Sequence, residues 1–173
     1  MNPKLLWITR TAIFIALLVS LQAATAPLGQ MVTGSVVNLL LIVAVMTGGL
    51  WTGVTVAAVS NFFAFMLGIG PAFFPVIPFV MVGNAILVVT WHFIGRLNIK
   101  GWLIPYIIAL AAGAGAKCLW LYFSIVRFAA PVFGFPEKLI AVFGIMQFIT
   151  ACIGGALALA ILPVLKKALK SKQ

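Results

Sequence analysis

Six apolar runs take up nearly the whole of this chain, and the breaks between them fall on glycine, proline or basic residues. The runs cover about residues 5–26, 36–47, 50–68, 76–95, 102–128 and 138–165. A helix needs roughly 20 apolar residues to cross the hydrocarbon core of a bilayer. The pattern therefore predicts an all-α membrane protein, a bundle of six transmembrane helices forming one integral membrane domain over residues 1–173. The second run is short on its own. Thr47, Gly48 and Gly49 after it predict a tight turn into the third. The alternative, one helix over 36–67, is long for a single span without strong tilt. Pro27, Leu28 and Gly29 end the first helix, and 30–35 reads as an uncharged loop. An aromatic, proline-rich connection over 72–78 leads into the fourth helix, and Pro105 falls in the first turn of the fifth, where proline is tolerated.

Charge orients the bundle. Only 7% of the residues are charged, against roughly a quarter in a soluble domain. Eleven basic residues stand against one acid, Glu137, and all but Lys117 lie between, beyond or toward the ends of the apolar runs. That distribution is a topology signal, not a nucleic-acid-binding surface, and no nucleic acid partner is expected. Six helices put both ends of the chain on one side, with Lys4, Arg10, Arg96, Lys100, Lys166, Lys167, Lys170 and Lys172. Only Arg127 and Lys138 flank the other side, so the positive-inside bias predicts cytoplasmic N- and C-termini. Cys118 and Cys152 lie inside apolar runs and read as small buried residues. No metal-ligand spacing is present and no cofactor is expected. The N-terminal stretch lacks a small-residue cleavage site after a short apolar core, so no removable signal peptide is expected. Without a nucleotide-binding loop, the chain is not expected to hydrolyse ATP by itself.

Polar side chains inside the runs are few, and their depths agree. Gln22, Asn38, Asn61, Asn84, Lys117 and Gln147 all fall between the bilayer centre and the outer surface. The inner half holds His92, near the inner end of the fourth helix. An amide without a partner in hydrocarbon costs several kcal/mol, so these groups should face one another or a ligand. Interhelical hydrogen bonding is one reading of each; a polar pocket open to the outside accounts for all six together. Lys117 is the costliest, at about 2.5–3.5 kcal/mol for a cation at mid-membrane, and marks a functional site by default. Gly113, Ala114, Gly115 and Ala116 before it allow another helix to approach closely. Snorkelling is the alternative, but Lys117 lies about ten residues, roughly 15 Å, from the outer end of its helix. Lys117, Trp120 or Leu121, and Ser124 share a face at three–four spacing, with Trp120 a possible aromatic wall. A pocket with one cation and no carboxylate favours an anionic or neutral ligand. Glu137, in the outer loop, either pairs with Lys138 or Arg127 or is solvated. The candidate binding residues are thus Asn38, Asn61, Asn84, Lys117, Trp120 and Gln147, with Lys117 expected to contact the ligand and Asn84 and Gln147 to supply amides beside it.

Enzyme chemistry finds little support. His92 sits near the inner surface, Ser20, Ser60 and Ser124 have no base beside them, and one isolated acid makes no carboxylate pair. No catalytic residue is assigned.

Several segments resemble a known family. Thr9-Arg10-Thr11-Ala12-Ile13-Phe14-Ile15-Ala16 resembles the first helix of substrate-binding S-components of energy-coupling factor (ECF) vitamin transporters, which carry an Ala-x-x-x-Ala pair matched here by Ala12 and Ala16. Thr33-Gly34-Ser35-Val36-Val37-Asn38, Leu67-Gly68-Ile69-Gly70-Pro71, Pro78-Phe79 with Gly83-Asn84-Ala85, and Ala116-Lys117 resemble the branch with pantothenate-type and folate-type members. The resemblance covers nearly the whole chain. The Ala-x-x-x-Ala pair is common in membrane helices; the Gly-Asn-Ala and Ala-Lys segments in this order are more specific. The resemblance implies a multi-pass protein of the prokaryotic plasma membrane that captures a vitamin-type small molecule, pantothenate-like by preference, from outside for ATP-driven uptake. It implies two kinds of partner, a membrane-embedded coupling protein and a pair of cytoplasmic ATPases. Ala12 and Ala16 would form the docking strip for the coupling protein; packing within this chain is the other reading. Folate, a pyridoxine-like vitamin or a cobalamin precursor are further ligand candidates. A self-sufficient small carrier, or a scaffold without an ATPase partner, is the competing function.

Overall fold

The structure, a computed structural model, describes residues 2–70, 73–99, 101 and 103–170. Pro71, Ala72, Lys100, Trp102 and Lys172, to which the sequence assigns turn, connection, loop, helix-start and tail positions, lie outside the described residues. The described chain is helical throughout, without strands. Helix α1 (Pro3–Thr25) starts behind Asn2, whose side chain accepts from the Lys4 backbone N–H and so satisfies one of the helix's free donors. A 3-10 turn (Ala26–Leu28) and Gly29 lead into α2 (Gln30–Gly48). The expected loop over 30–35 is therefore helical. The turn at Pro27 and Gly29 already reverses the chain, and the weakest helix former in Gln30 to Ser35, Gly34, is accommodated within α2. Instead the Thr33 hydroxyl donates to the Thr25 carbonyl at 2.8 Å, pinning the hairpin.

One residue, Gly49 (φ +84°), separates α2 from α3 (Leu50–Met66). The left-handed conformation is open to glycine at little cost, so the two-helix reading holds and the single long helix does not form. A 3-10 turn (Phe74–Val76) leads into α4 (Ile77–Ile94), and α5 (Ile104–Leu121) follows with Pro105 in its first turn. Past Leu121 the chain stays helical in a wider π register (Tyr122–Ala129) and then in α6 (Ala130–Phe133). The fifth helix thus outruns its expected end at 128. The Ala130 N–H reaches back five residues to the Ile125 carbonyl, just before Pro131, which has no N–H to give.

The sixth expected helix is broken. A short α7 (Glu137–Val142) ends at Phe143 and Gly144, and α8 (Ile145–Lys170) carries the rest, passing through Pro163. Phe143, 1% exposed, turns inward at the break and packs with Val76, Leu121, Ile125 and Phe135. An unbroken helix would swing that ring out of its cluster.

Helix α2 is the axis of the bundle and packs against α1, α3, α4 and α8. Its closest neighbour is α8. A Cβ on Gly154 would stand 2.5 Å from the Ser35 carbonyl oxygen and 2.8 Å from the Leu39 nitrogen, so only glycine permits this approach. The half of the bundle near the chain termini is a dry core of Leu18, Leu41, Ile42, Val45, Val56, Val88 and Trp91. The other half is where the polar side chains gather. Among the described residues, five helical segments are long and apolar enough to cross a membrane, and α3, at 17 residues, is a shorter apolar helix. Trp51, Phe93, Leu119, Phe123 and Ile145 are all at least 60% exposed, an outer surface suited to lipid.

Candidate functional site

Lys117 sits in the second half of α5 with 2% of its surface exposed. Its ammonium donates to Asn38 Oδ1 at 2.6 Å. A lysine can only donate, so the Asn38 amide must turn its oxygen toward α5 and its nitrogen away. That nitrogen donates to Thr150 Oγ1 at 3.4 Å, and the threonine hydroxyl donates to the Gln147 carbonyl at 3.2 Å. The chain from α5 through α2 to α8 holds the ammonium in one position. The Gly154 approach described above brings α2 and α8 close enough for it to form.

Beside Lys117 lies a cavity of about 390 Å³, within the range of small-molecule sites. Gln22, Asn38, Asn61, Asn84, Lys117 and Gln147 all line it, so the whole polar layer expected from depth converges on one space. Asn61 is partly tied to its own helix, its amide nitrogen donating to the Ala57 carbonyl at 2.6 Å. The cavity occupies the end of the bundle away from the chain termini. There it is bounded by the α1–α2 turn at Ala26 and Gly29, by Ile69 and Gly70 after α3, and by Leu139, Val142 and Phe143 of α7 and its end.

One expectation is corrected. Trp120 does not line the cavity: it is 36% exposed, and its indole N–H donates to the Phe79 carbonyl at 2.9 Å, tying α5 to α4 from outside. Leu121 is the buried neighbour instead, its side chain set against Gly83. The direct partner of Lys117 is Asn38, and Asn84 and Gln147 line the same cavity. Several contributors escaped the sequence reading. Gln30 and Thr33 fall in the stretch taken for a loop, and Leu139, Val142 and Phe143 on a helix taken for unbroken. The signal for the latter was Gly144, inside an otherwise helical run.

The arrangement offers a small solute one cation and several amides. His92 lies in the last turn of α4, at the opposite end of the bundle from the cavity. Ser60 and Ser124 donate to backbone carbonyls of their own helices, Val56 and Trp120. The one acid, Glu137, is exposed at the start of α7. The ammonium of Lys117 therefore meets a carbonyl dipole and no carboxylate. Ala12 and Ala16 lie elsewhere, exposed on α1, the least buried of the spanning segments. The chain matches no family model, no curated protein and no solved structure.

Proposed function

We propose that this chain is the substrate-binding S-component of an ECF-type importer, capturing a small vitamin or vitamin precursor for ATP-driven uptake. The observation that carries the reading is the convergence of Lys117 and six amide residues on one cavity at the end of the bundle away from the termini. With the termini cytoplasmic, as the bias of basic residues favours, that end faces outside, where a captured solute arrives. The absence of any nucleotide-binding loop in the sequence leaves energy to partners, a membrane-embedded coupling protein and two cytoplasmic ATPases. Ala12 and Ala16 suit the docking role because they are exposed, small and four residues apart on the helix least covered by its own bundle. The segmental resemblance to S-components supports the same assignment.

The test has two arms. Purified protein is screened by thermal shift against a vitamin panel, where a ligand at one hundred times its dissociation constant adds about 2.7 kcal/mol of stability. Tagged protein is recovered from its own membranes and examined for a coupling protein and ATPases. Ligand uptake by vesicles holding this chain alone, without ATPases, would instead establish a self-sufficient carrier.

A further inference from the structure

The chain holds far more positive charge than it can neutralise, and Arg10 makes the shortfall local. Arg10 lies seven residues beyond the start of α1, about 10 Å along the helix at 1.5 Å per residue. Its side chain is exposed, on the spanning segment that the bundle covers least. Among the described residues its guanidinium has no hydrogen-bond or ion-pair partner. The first turn of α1 carries no acid, and the one acid of the chain, Glu137, opens α7 at the other end of the bundle. No acidic side chain of this protein can therefore supply the counter-ion of Arg10.

The surroundings of Arg10 narrow the source. Trp7, Arg10, Ile13, Leu17 and Leu21 follow one another at three- and four-residue spacing and form one exposed row along α1. The opposite face, with Thr11, Leu18 and Gln22, is the one buried in the bundle. Ala12 and Ala16 fall beside this row, not on it. Helical side chains lean toward the N-terminus, so the long stem of Arg10 carries its charge back toward Trp7, at the membrane surface on the side of the termini. An indole suits that interfacial level, and the aliphatic side chains of the row lie deeper. A cation above a ridge of exposed aliphatic side chains is matched by a molecule with a negative headgroup and hydrocarbon tails. We propose that this row seats an anionic phospholipid of the leaflet next to the chain termini. Its phosphate meets Arg10, and an acyl chain lies along Ile13 and Leu17. Lys4, six residues nearer the surface, adds to the positive field there. The guanidinium offers phosphate oxygens two parallel N–H donors. A zwitterionic phospholipid brings its own cation to the same place and gains less. This lipid seat does not depend on what the cavity binds.

Native mass spectrometry of the full chain tests it, from micelles holding equimolar phosphatidylglycerol and phosphatidylcholine with the same acyl chains. Phosphatidylglycerol should be retained at least about five-fold over phosphatidylcholine, the worth of one basic residue near an anionic surface. Arg10→Gln should lose about that factor, and Lys167→Gln, in the exposed last turns of α8, less than about two-fold. Because Arg10 is exposed and unpaired, Arg10→Gln should melt with the unsubstituted protein. Bromine on the acyl chains places the lipid. In vesicles where only one of the two lipids is brominated, Trp7 fluorescence, taken as the difference between the protein and Trp7→Phe, should be quenched more by brominated phosphatidylglycerol. Arg10→Gln should make the two lipids equal. No preference between the lipids, or equal quenching in the unsubstituted protein, overturns the proposal. Equal losses in Arg10→Gln and Lys167→Gln would reduce the preference to diffuse surface charge and also overturn it. Full competition by inorganic phosphate would show an anion site in which the apolar row takes no part, with the same consequence. A protein partner recovered from native membranes that Arg10→Gln releases, with the lipid ratio unchanged, would assign the counter-ion to a carboxylate of that partner and overturn the lipid.

Discussion

Lys117 and Asn38 depend on each other in a way that neither shows alone. Removing Asn38 leaves a buried ammonium without its acceptor, which costs more than an unmet neutral group, about 3 kcal/mol. Removing the charge leaves only an amide oxygen to satisfy. Asn38→Leu should therefore lower the melting temperature more than Lys117→Met does, and the double variant should regain part of the loss. Equal losses that add in the double variant would mean the 2.6 Å contact carries no coupling. On ligand binding the order changes. Lys117→Ala and Lys117→Met should both weaken an anionic ligand by about ten-fold to a hundred-fold, since a charge-assisted hydrogen bond contributes roughly 1.5–3 kcal/mol. Unchanged affinity in both would reduce Lys117 to a structural residue. The sequence places Lys117 well, because a cation inside an apolar run is costly wherever the run folds. It does not choose between Trp120 and Leu121, since both fall near Lys117 on a helix. Packing against Gly83 decides for Leu121.

Among the elements, the α2–α8 seam governs the site because it sets where Asn38 and Thr150 meet. Gly154→Ala places a methyl group against the Ser35 carbonyl and the Leu39 nitrogen, backbone atoms that cannot rotate away. The expected cost is about 1–3 kcal/mol of overpacking, with ligand affinity falling as Asn38 is pushed off Thr150. Normal stability and affinity in this variant would mean the seam relaxes without reaching the site. Helix α1 predicts the contrary pattern. Ala12→Trp and Ala16→Trp add bulk to an exposed strip, so ligand binding to the isolated protein should stay within about two-fold of normal while coupled uptake fails. Normal uptake in both variants would remove this strip as the docking face. Element lengths were legible to within a few residues where glycine and proline mark the ends, as at Pro27 and Gly49. They were missed at Pro131, and at Gly144 the glycine alone hinted at a break. There the chain follows tertiary packing of Phe143 and a π register, which a local pattern of apolar residues does not encode.

The whole molecule divides into a dry half near the termini and a polar half at the far end, and orientation in the membrane decides which medium the cavity serves. Gly134 adopts a left-handed conformation that closes α6, so Glu137, exposed on the next element, is the better reporter for that end. An impermeant thiol reagent applied to intact cells should label Glu137→Cys and leave Asn98→Cys unlabelled. The reverse result would invert the orientation and turn the cavity toward the cytoplasm. The sequence by itself determined that the chain is helical and apolar enough for a bilayer, and that its buried amide and amine side chains share one half. Those properties follow from hydrophobicity and rise per residue, which are local and additive along a helix. Only the tertiary structure decided which amide meets Lys117. Asn38 lies 79 positions away on another helix, while Trp120, only three positions along, turns outward to the Phe79 carbonyl. Such pairings depend on distances between helices, set by the packing of small residues from separate parts of the chain.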